Sequence, residues 1–142
     1  ALTFEFIQFV LVESGMITFP MRVDENQTEA QITIFGYGKD DELKMDVNQF
    51  VFAESKGNYV YVTIKDPTIH QLKKITLRLS LQEFQKQFES MNNIDRVHKS
   101  FIANLNLDYK LSGNSRKASL IFENEVEIPV SRAYFRDHQA DI

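Results

Sequence analysis

From residue 31 onward, apolar side chains recur at every second position in short runs broken by glycine and polar residues, the period of extended strands. Ile32 and Ile34 open the pattern. After a polar turn through Gly36 to Glu42, Leu43, Met45 and Val47 alternate as a hairpin partner. Phe50 to Ala53 follows, and Glu54-Ser55-Lys56-Gly57-Asn58 reads as a loop or bulge. From Tyr59 to Ile64 the chain sets Val60, Val62 and Ile64 on one face and Tyr59, Tyr61 and Thr63 on the other. Past Asp66-Pro67, Ile75, Leu77 and Leu79 alternate with Lys74, Thr76 and Arg78. Repeated short runs of this kind are expected of a mainly β domain.

The period then switches to three or four. Ser80-Leu81-Gln82-Glu83 has the form of a capping box, with the Ser80 hydroxyl accepting from the backbone three residues on and Glu83 reaching back to the amide of Ser80. Leu81, Phe84, Phe88 and Met91 line one face of the predicted helix, near residues 80–91. Strand patterning returns with Phe101-Ile102-Ala103 and with Leu105, Leu107, Tyr109 and Leu111. Ser112 to Ser115 turns the chain into Ala118 to Phe122, and Glu123-Asn124-Glu125 turns it again into Val126, Ile128 and Val130, which makes a meander. Ser131 is placed to cap a short C-terminal helix carrying Tyr134, Phe135 and His138.

Residues 1–20 are rich in Phe and aliphatics, but Glu5, Gln8 and Glu13 interrupt them below the roughly 18 to 20 apolar residues that span a bilayer. An amphipathic linker is the favoured reading, ahead of a membrane-helix remnant or a segment that pairs with another chain. Pro20 closes it, and the acidic stretch 21–30 marks a boundary between an N-terminal segment, 1–30, and a domain, 31–142. The chain opens on Ala1 with no signal-peptide pattern, so a fragment of a longer protein is expected. With no cysteine there are no disulfides or thiolate sites, which fits a reducing cytoplasm.

Charge is unevenly spread. The net charge of −4 opposes nucleic-acid binding at first sight, because non-specific affinity comes mostly from neutralising phosphates. Residues 1–43, however, hold two basic and eight acidic side chains, a balance of −6, and the rest of the chain balances at +2. That permits DNA binding with modest electrostatic affinity and leaves specificity to a few placed side chains.

Enzyme chemistry lacks a motif. His70, His98 and His138 lie far apart with no two-histidine metal spacing, and Gly36-Tyr37-Gly38 is followed by acids instead of a third glycine and a helix. No Gly-x-Ser-x-Gly or phosphate loop is present. His98 reads better as a half-buried structural or DNA-proximal residue than as a general base. No enzyme, metal or cofactor is expected.

Four segments then carry a family likeness: Phe52-Ala53-Glu54-Ser55-Lys56-Gly57-Asn58-Tyr59-Val60, the helix Leu81 to Phe88, Arg96-Val97-His98-Lys99-Ser100-Phe101-Ile102-Ala103-Asn104, and Ile128-Pro129-Val130-Ser131-Arg132-Ala133-Tyr134. In order and spacing, over about residues 43–142, the chain resembles the LytTR-type DNA-binding domains of bacterial transcription regulators. The resemblance implies an elongated, mainly β fold of roughly ten strands with short helices, whose loops enter the major groove in place of a recognition helix. It implies base reading by Lys56 and Asn58, by Lys99 beside His98, and by Arg132 after Ser131. Lys or Arg suits guanine N7 and O6, and Asn suits adenine. Some family members carry histidine near the place of Asn58 and Asn where this chain has Lys99, which bears on the preferred DNA sequence and not on the binding mode.

Arg132 stands out locally as well, since a cation in a helix's first turn is disfavoured by about 0.3 to 1 kcal/mol. The bland alternative is an Arg132 solvated or paired with Asp137. Arg116 and Arg136, with Lys110 and Lys117, are candidates for phosphates or are simply solvated. The expected partner is double-stranded DNA with repeated sites, bound as a homodimer or as tandem copies. The resemblance further implies a receiver domain or membrane helices elsewhere in the full-length protein, which would be cytoplasmic or tethered to the inner membrane. The competing reading is a β-rich sensory or protein-interaction module that does not touch DNA.

Overall fold

The computed structural model describes residues 31–66, 68, 71–123 and 126–139. The chain divides into a unit ending at Ile32 and a second from Thr33 to Ile142. The expected linker, Pro20 and the acidic boundary fall outside the described residues, as does His70.

Strand β1 (Gln31–Phe35) joins β2 (Glu42–Asp46) in a two-stranded sheet that buries Ile34, Leu43 and Met45. Val47, expected to continue the strand, instead opens a 3-10 turn (Val47–Gln49). The Asp46 carboxylate accepts the Asn48 N–H at 2.8 Å, and the Gln49 side chain accepts the Asp46 N–H at 2.9 Å. This reciprocal cap satisfies locally the backbone groups a strand would have offered to a ladder.

Five strands form the main sheet: β3 (Phe50–Lys56), β4 (Tyr59–Asp66), β5 (Gln71–Leu77), β6 (Ile94–His98) and β7 (Phe101–Asn104). Their order is β5-β4-β3-β7-β6, with every pair antiparallel. Val60, Val62 and Ile64 are buried as the alternation requires. Two register shifts matter. One lies between Phe50 and Phe52, so Phe50 packs against Phe84 and Phe88 while Val51 and Phe52 join a different core. The other lies between Arg96 and His98 and re-aims His98 at the end of β6.

The helix α1 (Leu81–Lys86) is shorter than its sequence periodicity predicts. Beyond Lys86 the chain keeps turning, but through three-residue bonds such as Phe88 N–H to Gln85 C=O (3.0 Å) and Met91 N–H to Phe88 C=O (2.9 Å). Tightening lets Phe88 reach Phe50 and Phe84, at ring separations of 5.2 and 5.0 Å, while Met91 is only half-buried. Half of the expected capping box forms. Ser80 Oγ accepts the Glu83 N–H at 3.1 Å, but the Glu83 carboxylate faces Lys86 Nζ at 3.4 Å.

The meander appears as β8 (Tyr109–Gly113), β9 (Ala118–Phe122) and β10 (Glu127–Val130). Leu105 and Leu107, expected in the first of these strands, lie in the turn before it. Pro129 sits in β10, an edge strand, where its missing N–H costs no ladder bond. The second core joins Val51, Val97, Phe101 and Ala103 of the main sheet to Leu111, Leu120, Phe122, Ile128 and Val130 of the meander, and to Tyr134 and Phe135 of α2 (Arg132–His138). Each such large side chain, fully buried, stabilises the fold by about 1.5 to 3 kcal/mol. This packing brings the start of α2 against the β6–β7 turn.

Candidate nucleic-acid interface

Three tight turns carry the side chains singled out from the sequence. Between β3 and β4 only Gly57 and Asn58 remain outside the strands, and Gly57 has φ +60°. A glycine at positive φ in the first central position is the mark of a type II′ hairpin turn, which projects Lys56 and Asn58 into solvent. Nothing lies within 4 Å of a Cβ added at Gly57, so Gly57→Ala meets only backbone strain. The expected loss is about 1 to 2 kcal/mol of stability, read as a lowered urea midpoint with an unchanged m-value.

The β6–β7 turn, Lys99-Ser100, is held from inside by its own strand. Arg96 donates from Nη2 to the Lys99 C=O at 2.6 Å, and the Ser100 N–H donates to His98 Nδ1 at 3.1 Å. His98 is half-buried, edge-on to Phe101 at 5.6 Å. Because Nδ1 accepts a backbone N–H, the neutral ring carries its hydrogen on Nε2. Burial, and secondarily the neighbouring Lys99 ammonium, lower the His98 pKa below 6.5.

The sign follows directly. A folded-state pKa below the unfolded one contributes stability that is complete above the unfolded value and is lost as pH falls through the folded value. Acidification from about pH 7 to about pH 5 should therefore destabilise the native domain more than a His98→Gln variant, in melts run side by side. Parallel pH profiles for the two proteins would contradict it.

Ser131 caps α2 as expected, its Oγ accepting the Tyr134 N–H at 3.0 Å, and Arg132 is exposed in the first turn. In the β8–β9 turn, Asn114 Oδ1 accepts the N–H groups of Arg116 and Lys117 at 2.9 and 3.1 Å, which presents both cations outward.

Backbone hydrogen bonds stitch the three turns together. The Ser55 N–H donates to the Ser100 C=O at 2.9 Å, and the Ser131 N–H donates to the Val97 C=O at 2.8 Å. Lys56 and Asn58, His98 and Lys99, and Ser131 and Arg132 thus sit on segments tied side by side. Lys56, Asn58, Lys99 and Arg132 are exposed, and among the described residues none of these three cations forms an ion pair. Arg132 does not pair with Asp137, which instead faces Arg136 at 3.7 Å, a solvent-exposed contact of little energetic weight.

Arg116, Arg132 and Arg136 come together with Phe135 along one cleft of about 410 Å³. Two cationic features escaped the reading of the sequence. Arg96 positions Lys99 through the turn carbonyl, and its three-residue spacing from Lys99 across a hairpin was the available signal. Tyr61 has Lys56 Nζ at 5.9 Å and Lys74 Nζ at 5.6 Å from its ring centroid, so an aromatic face steadies Lys56. Among the described residues, no group of three or more metal-ligating side chains occurs and no helix is long and apolar enough to cross a membrane.

A mainly β domain thus carries exposed cations on two hairpin turns and at the start of a short helix tied beside them. The LytTr DNA-binding domain family matches residues 41–140, and the chain belongs to that family. Among solved structures, it is similar to the LytTr DNA-binding domain of a Bacillus cereus protein described as a methyl-accepting/DNA response regulator. The two are 22% identical with a TM-score of 0.58, over 78% of this chain and 94% of that one. A comparison with curated proteins finds no match.

Proposed function

We propose that this domain is the sequence-specific DNA-binding output module of a bacterial transcription regulator and reads the major groove through its turns. The observation that carries this reading is the pair of backbone hydrogen bonds tying the three cation-bearing turns to one another. In this reading Asn58, Lys99 and Arg132 discriminate bases, and Lys56, Arg116 and Arg136 hold phosphates and set register. The Nε2–H of the neutral His98 ring is the donor it can offer to an acceptor on the duplex, and Ser131 fixes the start of α2. Two copies on repeated sites would double the interface, and the input would come from a receiver or membrane domain elsewhere in a cytoplasmic or membrane-tethered protein.

The test is a titration of duplexes selected from a random pool, at two salt concentrations. About three phosphate contacts give a slope that weakens binding about 40-fold between 50 and 200 mM salt, and scrambled duplex should bind more weakly at both. Failure to enrich any sequence, with no salt-dependent binding, would favour a protein-interaction module.

A further inference from the structure

Beside Asn58, on the β5 side of the β3–β4 turn, lies a second cleft that shares Gly57 and Asn58 with the site above and adds residues that the site does not use. It has a volume of about 370 Å³ and is lined by Tyr37, Gly57, Asn58, Arg78, Leu79 and Ser80. We propose that this cleft takes one backbone phosphate of the DNA, flanking the base that Asn58 faces, with Arg78 as its cation and the Tyr37 hydroxyl as a further donor. The proposal rests on the DNA-reading role of the turns and lengthens their footprint.

The cleft is built, and its construction leaves the two side chains free. The Gly36 N–H donates to the Asp41 C=O at 2.6 Å, and the Tyr37 N–H donates to the Arg78 C=O at 2.8 Å. The Asp41 carboxylate is turned inward and accepts the Arg78 N–H at 2.7 Å. Glycine is required at position 36, because a Cβ there would collide with the Asp41 carboxyl and come within 3.1 Å of the Arg78 C=O. Every bond that clamps the Gly36–Asp41 turn to the end of β5 is thus made by backbone or by Asp41. Tyr37 remains 65% exposed, and Arg78 is exposed with no ion pair among the described residues.

Register fixes the neighbourhood of Asn58. Leu77 of β5 pairs with Val60 of β4, so Arg78 leaves the sheet level with the β3–β4 turn. A phosphate seated there meets a guanidinium, which suits its oxygens bidentately, and a phenol on a clamped turn that loses little freedom on binding. The same turn carries three acids, Asp40, Asp41 and Glu42, against Lys39, a balance of −2 before Arg78 is counted, so the field opposes an anion and the contribution is limited to the one contact Arg78 makes.

The experiment uses Arg78→Ala, Arg78→Lys and Tyr37→Phe, with melting temperatures confirming that the backbone clamp survives. On the selected duplex and on a scrambled one, Arg78→Ala should weaken binding alike and reduce the salt slope by about 1. The ratio of wild-type to variant affinity then shrinks about threefold between 50 and 200 mM salt, and Arg78→Lys keeps the wild-type slope. Replacing phosphates one at a time by neutral methylphosphonate should reveal one position that weakens the wild type and leaves Arg78→Ala unchanged. An unchanged slope in Arg78→Ala, with no such position, overturns the proposal while leaving the reading turns intact. A wild-type chain that shows no salt-dependent binding at all overturns both.

Discussion

Replacing Asn104 by alanine should cost the domain about 2 to 4 kcal/mol, a large share of the stability of a chain this size. Asn104 is fully buried at the end of β7, and every hydrogen-bonding direction of its amide is used. Its Nδ2 donates to the carbonyls of Val47 and Phe50, at 3.1 and 2.9 Å. Its Oδ1 accepts from the backbone N–H and the Nδ2 of Asn106, both at 3.0 Å. Asn106 in turn donates to the Asn92 C=O at 3.0 Å and accepts from Asn93 Nδ2 at 3.1 Å. Asn104 therefore joins the 3-10 turn to β7 and, through Asn106, to the turn that follows α1. Removing it leaves buried polar groups without partners, each at about 1 to 3 kcal/mol. Asn104→Asp should be no better, since it sets a carboxylate against two carbonyl oxygens. Urea unfolding of both variants checks the claim, and a loss for either below about 0.5 kcal/mol would show that the network is dispensable.

Arg132→Ala should lower affinity for the selected duplex by about 1 to 3 kcal/mol and relax preference at one base position, whereas Arg116→Ala should weaken all sequences alike. The cleft adds a condition that the two residues' separation in sequence conceals. Arg116, Arg132 and Arg136 line the same space, so their effects should not add, and the double variant Arg116→Ala/Arg132→Ala should depart from the sum of the singles by at least about 0.5 kcal/mol. Equal losses on selected and scrambled DNA for both single variants would reject the division between base reader and phosphate holder.

Legibility followed burial. β4 was readable because Val60, Val62 and Ile64 alternate into the core, although Thr63 on the opposite face is buried as well, and the meander because turn residues punctuate it. β6 was not readable as a strand, because the register shift between Arg96 and His98 breaks the alternation and leaves only Ile94 and Val97 buried. The helix after Ser80 was overextended because Phe88 and Met91 keep helical spacing, although the chain by then turns with three-residue bonds. The proposed site is visible in the sequence as residue types in three motifs, while Arg96 and Tyr61 carry no motif of their own because each works through another residue.

By itself the amino-acid order determined what local physics controls: which runs are strands, where Ser80 and Ser131 start helices, and which turns carry exposed cations. Only the tertiary structure decided which turns are neighbours. The bonds from Ser55 to Ser100 and from Ser131 to Val97 join residues whose proximity depends on strand order and on the packing of the meander against β3, β6 and β7. Strand order is set by contacts summed over a whole core, a quantity that no window of sequence contains.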